Sequence, residues 1–221
     1  MVTRRSSLYE RAQSILSNKV VNPNKLWADV IARKSLVELI NTRQFLSIYV
    51  MNFFSIFLGI FVIGSQKDWG KSIFESEIFL SSVASLGGVF AAFRFIWSFL
   101  VDKYSYKLIY SILLIFQMII GVCLPLVLES KASEDVKEIF FFSFVMLAFF
   151  CEGGHFVLGP TICGKLFGAE GGVRVFSVAF SFCGIGSLVH ILLMQLIGEK
   201  AGFNGFAYMY AGFSFVSLLI L

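Results

Sequence analysis

Charged residues are scarce in this 221-residue chain. Asp, Glu, Lys and Arg together account for 14% of it, against about 25% in a typical soluble domain, while hydrophobic residues account for 57%. A soluble domain needs more polar surface than this composition provides. The sequence therefore excludes an ordinary soluble protein and predicts an all-α integral membrane protein with the lipid bilayer as its solvent.

Residues that commonly carry enzymatic or metal chemistry are also few. There are two histidines and four cysteines, and the cysteines lie in or beside apolar stretches without the spacing of a metal or redox site. No H-E-x-x-H motif, no paired aspartates and no G-x-S-G of an intramembrane protease occurs. We therefore expect no enzymatic activity, no metal site and no bound cofactor.

Long apolar stretches follow a basic segment at residues 1–43. Spanning a bilayer takes about 20 residues. Six stretches qualify or nearly qualify, at 44–64, 79–101, 108–128, 139–160, 174–197 and 205–221. We predict six transmembrane helices over 44–221, preceded by a surface helix between Leu26 and Ile40. The sixth stretch stops at Leu221 in mid-run, which suggests a fragment of a longer chain.

Basic residues are distributed unevenly between the two sides of these spans. With the N-terminus inside, the inner segments hold twelve Lys and Arg and the outer loops hold five. The positive-inside rule therefore places the N-terminus in the cytoplasm. Because this asymmetry accounts for the net positive charge, we expect no nucleic-acid partner.

Ionisable side chains within the predicted spans are rare. They are Arg94 in the second span, Glu152 and His155 in the fourth, and His190 in the fifth. A charged group at a helix centre costs about 2.5–3.5 kcal/mol on insertion scales, so such groups face a bundle interior or a cavity. The third and sixth spans have none, which predicts a polar cavity lined by the other four. Substrate-binding candidates are these four residues and Asn52 of the first span.

Each of these residues has two interpretations. Arg94 is either an anion site or a structural partner of Glu152. Glu152 and His155, three residues apart, either relay a proton or serve as an ion-pair partner and a packed core histidine. His190 is a solute contact or a hydrogen-bonded packing residue. Gln117 of the third span is expected to bridge helices.

The loop between the second and third spans carries a recognisable pattern. Asp102, Lys103 and Lys107 stand in register with G-x-x-x-D-[RK]-x-G-[RK]-[RK], the loop signature of the major facilitator superfamily, which this segment resembles. Ser98, Ser105 and Tyr106 replace other positions of the pattern. The resemblance implies that Asp102, Lys103 and Lys107 form a gating motif at the inner face.

Two further stretches resemble one branch of that family, the oxalate:formate antiporters and monocarboxylate transporters. Arg94 lies eight residues before Asp102, where the branch has a carboxylate-binding Arg, and residues 159–187 resemble its loop between helices 10 and 11. The resemblance implies that 44–221 is the C-terminal six-helix half of such a transporter. Its dicarboxylate exchangers have a Lys near Cys183, which this span lacks. A monocarboxylate, an amino acid or another small polar solute is therefore favoured.

These observations together predict transport of a small polar or anionic solute by alternating access, with or without coupling to H+. The expected partners are the solute, the lipid bilayer, and either a missing N-terminal half or a second copy of the chain. The alternative is a membrane protein that does not transport, such as a receptor-like or regulatory fragment.

Overall fold

A computed structural model describes residues 35–221, and the regular structure in this part of the chain is α-helical. The helices are α1 Leu36–Ile40, α2 Arg43–Ser55, α3 Phe57–Lys71, α4 Glu77–Ala92, α5 Phe95–Lys103, α6 Tyr106–Glu129, α7 Glu134–Ala179 and α8 Ser181–Ile220. Helix α1 overlaps the last five residues of the predicted surface helix, and its first turn is held by a capping box between Ser35 and Glu38. The remainder of that prediction lies outside the described residues.

Four segments of the described chain are long and apolar enough to cross a membrane. They are Arg43–Lys71, Glu77–Lys103, Tyr106–Glu129 and Glu134–Ile220. The last contains 87 residues, which would measure about 130 Å as one straight helix and would exceed a bilayer core of about 30 Å. It is not straight, because Gly168 and Gly202 within it have non-helical backbone angles, with φ of 72° and 61°.

The chain folds back on itself at Gly168. The ring centroids of Phe156 and Phe180, equally distant from this glycine in the sequence, lie 6.0 Å apart. A Cβ added to Gly172 would lie 2.6 Å from the Cα of Gly164. The positive φ at Gly168 is readily adopted only by glycine, so this residue makes the reversal possible.

A second reversal occurs at Gly202. His190, before this glycine, lies 2.7 Å from the hydroxyl of Tyr210 after it, measured from Nδ1. The His190 ring also packs against Phe206, with centroids 6.5 Å apart. The last part of α8 therefore runs back along the part before Gly202.

Helix α3 continues to Lys71, beyond the apolar stretch that ends at residue 64. Its last turn carries Trp69, which is 1% exposed and stacks on Phe203 with centroids 6.4 Å apart. The indole Nε1 donates to Asn204 Oδ1 at 3.1 Å. Burial of this large side chain stabilises a turn that hydropathy alone does not predict.

Candidate functional site

Arg94 lies where the helix of the second predicted span is interrupted. Helix α4 ends at Ala92 and α5 begins at Phe95, so Arg94 is the N-cap of α5. The backbone forms a 3₁₀-type turn here, in which the amide of Trp97 donates to the Arg94 carbonyl at 3.1 Å. The Arg94 side chain is exposed.

Two consecutive glycines of α7 allow the Arg94 region to approach closely. A Cβ added to Gly153 would lie 2.6 Å from the Ala91 carbonyl oxygen and 3.2 Å from the Arg94 Cβ. A Cβ on Gly154 would lie 3.0 Å from the Trp97 indole, whose Nε1 donates to the backbone of α7. These glycines therefore set the position of Arg94 against α7.

Glu152 is buried within the bundle. It is 5% exposed, and no ion pair joins it to Arg94 within residues 35–221. Its carboxylate lies directly against Gly59 of α3, where an added Cβ would overlap Oε2. Oε2 is buried and has no hydrogen-bond partner in the described part of the chain.

Sequence reasoning did not identify Gly59 as part of this site. The available signal was its spacing from Asn52 and Ser55, which places the three residues on one stripe of the helical segment formed by α2 and α3. Of the two residues in this contact, Gly59 is small and Glu152 is polar, and both lie in apolar stretches of the sequence. Only the tertiary contact shows that the glycine makes room for a carboxylate.

Asn52 and His155 belong to a buried hydrogen-bond network that joins α2, α6 and α7, and Ser214 Oγ of α8 donates to Gln117 Oε1 of this network at 3.4 Å. The Tyr110 hydroxyl donates to Asn52 Oδ1 at 3.0 Å and lies 3.2 Å from His155 Nδ1. Gln117 Nε2 lies 3.0 Å from His155 Nε2 and donates to the Ser55 carbonyl at 3.1 Å. Gln117 thus bridges helices, as the sequence predicts.

The donors and acceptors of this network indicate how it can act. Gln117 Nε2 can only donate, so His155 Nε2 accepts and the ring hydrogen resides on Nδ1, facing Tyr110. The bonds lead from His155 and Tyr110 to the amide groups of Gln117 and Asn52. Tyr110 also bonds the Ser55 hydroxyl at 2.7 Å, and that hydroxyl donates to the Asn52 backbone carbonyl. Amide groups do not readily pass a proton on. The arrangement therefore suits a link that fixes the helices relative to one another.

His190 lies in an aromatic cluster. It is 7% exposed, its Nδ1 lies 2.7 Å from the Tyr210 hydroxyl, and its ring packs edge-on against Phe61 at 6.1 Å. These contacts join α3 to both parts of α8. The structure does not bring His190 into contact with Arg94, Glu152 or His155.

We use the name ledge for Arg94 and four exposed or partly exposed residues that follow from its contact with α7. One turn beyond Gly153 on α7 is Phe156, which contacts Phe180 at a centroid distance of 6.0 Å. The residue after Phe180 is Ser181, whose Oγ lies 3.1 Å from the Tyr49 hydroxyl of α2. The ledge comprises Arg94, Phe156, Phe180, Ser181 and Tyr49, and sequence reasoning identified only the first of these.

The residues resembling a gating motif lie at the end of α5 and the start of α6. Asp102 is exposed, and the described residues provide its carboxylate with no ion pair. Lys103 Nζ lies 4.2 Å from the Phe99 ring centroid, and Lys107 Nζ donates to the Leu221 carbonyl at 2.8 Å. An additional basic residue, Lys165 of α7, donates to the Val101 carbonyl at 2.6 Å and so ties α7 to the helix that carries Asp102.

The described residues form no group of three or more His, Cys, Asp or Glu side chains that could hold a metal ion. Compared with known proteins, residues 44–221 match the Major Facilitator Superfamily, and the match extends from α2 to the end of α8. No curated protein matches the chain at a significant level.

Proposed function

This chain belongs to the Major Facilitator Superfamily, whose members carry solutes across membranes, and we propose that it is a six-helix half of a transporter for small anionic or polar solutes. It is an integral membrane protein, and membership of this family is consistent with a role that is not enzymatic. The single observation that carries the solute assignment is an exposed arginine within an apolar helical segment.

Six spans are supported by the two reversals in the long helical segment. Three segments, Arg43–Lys71, Glu77–Lys103 and Tyr106–Glu129, each have the length of one span. The fourth segment folds back at Gly168 and Gly202 and so contributes three more. An even number of spans returns both ends of 44–221 to the same side, which the distribution of Lys and Arg assigns to the cytoplasm.

Arg94 is the proposed anion-binding residue. Its guanidinium carries a charge at every physiological pH and offers a planar fork of donors that fits a carboxylate. Glu152 does not neutralise it, because its carboxylate lies in the bundle against Gly59. The remaining partner for Arg94 is an anion in the cavity, from the solute or from the other half of the transporter. The oxalate:formate and monocarboxylate branch is the proposed family branch on this ground.

Glu152 is the proposed proton-binding residue. A buried carboxyl with an unpartnered Oε2 is more stable protonated than ionised, and ionisation requires water or a change in the packing against Gly59. Because Glu152 packs against Gly59 and forms no ion pair with Arg94 among the described residues, coupling acts through movement of helices and not through direct competition for one charge. Asn52, His155 and His190 support the solute site by fixing those helices, and Asp102, Lys103 and Lys107 form the inner gate.

Uptake into proteoliposomes by the intact transporter tests this proposal. Arg94→Lys retains the charge but loses the bidentate fork, so carboxylate uptake should fall by about tenfold or more. Glu152→Gln should retain exchange at a fixed pH and lose the stimulation by an imposed pH gradient. Normal uptake by both variants at all pH values would contradict the proposal. Binding without any transport by the wild-type protein would favour the receptor-like alternative.

A further inference from the structure

A cavity of about 300 Å³ lies among α2, α6, α7 and α8, at the side of the bundle that the proposed topology assigns to the cytoplasm. Arg43 is the first residue of α2, and Lys107 is the second residue of α6. Both side chains are exposed and line this cavity. Residues from separate helices therefore bring two positive charges to one opening.

The protein does not neutralise these two charges within residues 35–221. None of the described residues that line the cavity is acidic. The one ion pair in this part of the chain joins Lys71 and Glu77, at the opposite end of the first span. Lys107 Nζ donates to the Leu221 carbonyl at 2.8 Å, which positions the ammonium group and leaves two of its three donors for a ligand. An anion in the cavity would bond both cations and remove their mutual repulsion.

The lining of the cavity changes from polar to apolar along α2. Ser47 lies one turn beyond Arg43, and the next lining residues of this helix, Ile48 and Met51, are buried. Ile162 of α7 belongs to the same apolar part and is also buried. The distance along α2 from Arg43 to Met51 is eight residues, or about 12 Å. A ligand that combines an anionic group with an apolar chain therefore fits this cavity better than a small hydrated anion.

We infer that the cavity binds an anionic phospholipid of the inner leaflet, with its phosphate between Arg43 and Lys107 and the start of an acyl chain against the apolar part. The apolar stretch of the first span begins at residue 44, so the two cations lie at the level of the lipid head groups. Basic pockets between spans on the cytoplasmic side suit such head groups. The Ser47 and Tyr106 hydroxyls line the same cavity and can donate to further head-group oxygens.

This inference goes beyond the proposed transport of a solute and rests only on the proposed orientation of the chain. The cavity is formed by four helices, so a lipid bound there contacts elements that are far apart in the sequence. Such a ligand binds the folded protein and not the unfolded chain. It should therefore raise the melting temperature as its concentration increases.

Thermal unfolding of the intact, purified protein in detergent tests the inference. The probes are phosphatidylglycerol, phosphatidylcholine with the same acyl chains, and inorganic phosphate. Phosphatidylglycerol at saturation is expected to raise the melting temperature by about 5 °C. Phosphatidylcholine should raise it much less, because its choline group cancels the phosphate charge. Inorganic phosphate should also have little effect, because it has no chain to cover the apolar part.

Arg43→Gln and Lys107→Gln should each remove most of the shift that phosphatidylglycerol causes. The Arg43 side chain has no ion pair among the described residues, so Arg43→Gln should unfold at the wild-type temperature when no lipid is added. Lys103→Gln is the matched control, since Lys103 is an exposed cation close to Lys107 that does not line the cavity. This control should retain the full shift.

Each contrary result identifies a different error. A shift that persists in both Arg43→Gln and Lys107→Gln would show that the lipid binds elsewhere, and the inference would be wrong. Equal shifts with the two lipids would overturn recognition by charge, and an equal shift with inorganic phosphate would identify a free anion as the ligand. No shift with any probe would overturn the site altogether. None of these results bears on Arg94, whose role is measured separately by carboxylate uptake.

Discussion

The carboxylate of Glu152 lies directly against the backbone of Gly59, in space that a side chain at this position would fill. The contact joins α7 to α3 at the level where the helical segment of α2 and α3 is interrupted at Ile56. Glu152 Oε2 has no hydrogen-bond partner there among the described residues. Gly59 therefore determines where the proposed proton-binding carboxyl of Glu152 lies. Substitution of Gly59 is the most direct experimental test of that position.

Gly59→Ala is expected to destabilise the protein, because the added methyl group must displace a buried carboxyl. Overpacking of this kind costs about 1–3 kcal/mol. The melting temperature in detergent should fall by several degrees, and the pH dependence of uptake should change. Gly64→Ala on the same helix is the control, since no atom lies within 4 Å of a Cβ built there.

Glu152→Ala offers a second check on this contact. With the carboxyl removed, Gly59→Ala should cost far less than in the wild-type background, giving a favourable coupling energy in a double-mutant cycle. Additive effects of the two substitutions would show that the glycine and the carboxyl are not in contact.

Tyr110→Phe is expected to lower stability without changing the pH dependence of transport. The substitution removes the hydroxyl that bonds Asn52 and His155, leaving buried polar groups unpaired at a cost of about 1–3 kcal/mol. Thermal unfolding in detergent measures this change. Tyr208→Phe, at a more exposed position, should have little effect. A shifted pH profile in Tyr110→Phe would instead indicate that His155 takes part in proton transfer.

Accessibility labelling tests the topology. Single cysteines at Glu75 and Tyr104, in a background without the native cysteines, should be labelled from opposite sides of the membrane. Both sites leave the neighbouring N-caps Ser76 and Ser105 intact. Six spans further predict that Ala169 is labelled from the same side as Tyr104, and Lys200 from the same side as Glu75. Any other grouping rules out the proposed reversals.

Asp102→Asn is expected to alter the balance between inward- and outward-facing states in the intact transporter. The exposed carboxylate lies at the inner end of α5, where a partner from the other half of the protein can reach it. A cysteine is substituted at Ser181 in the protein without its native cysteines, and its rate of alkylation measures the accessibility of the ledge. Lys165→Met, which removes the bond to Val101, should shift this balance as well. Unchanged alkylation and transport rates in both variants would argue against a gating role.

Part of the site was predictable because polar residues in apolar stretches are visible in a sequence. Arg94, Glu152 and His155 were identified in this way. The ledge residues Phe156 and Phe180 were not, since aromatic residues are abundant throughout the chain. Nothing local distinguishes an exposed phenylalanine from the many that are buried.

The sequence by itself determined the helical class, the membrane environment and the family, because hydropathy, span length and loop charge are properties of consecutive residues. It did not determine that Glu152 turns towards Gly59 while Arg94 remains exposed. Those directions depend on how α3, α4 and α5 pack around α7. Helix packing brings together residues that are far apart in the chain, so only the tertiary structure decided which polar groups meet.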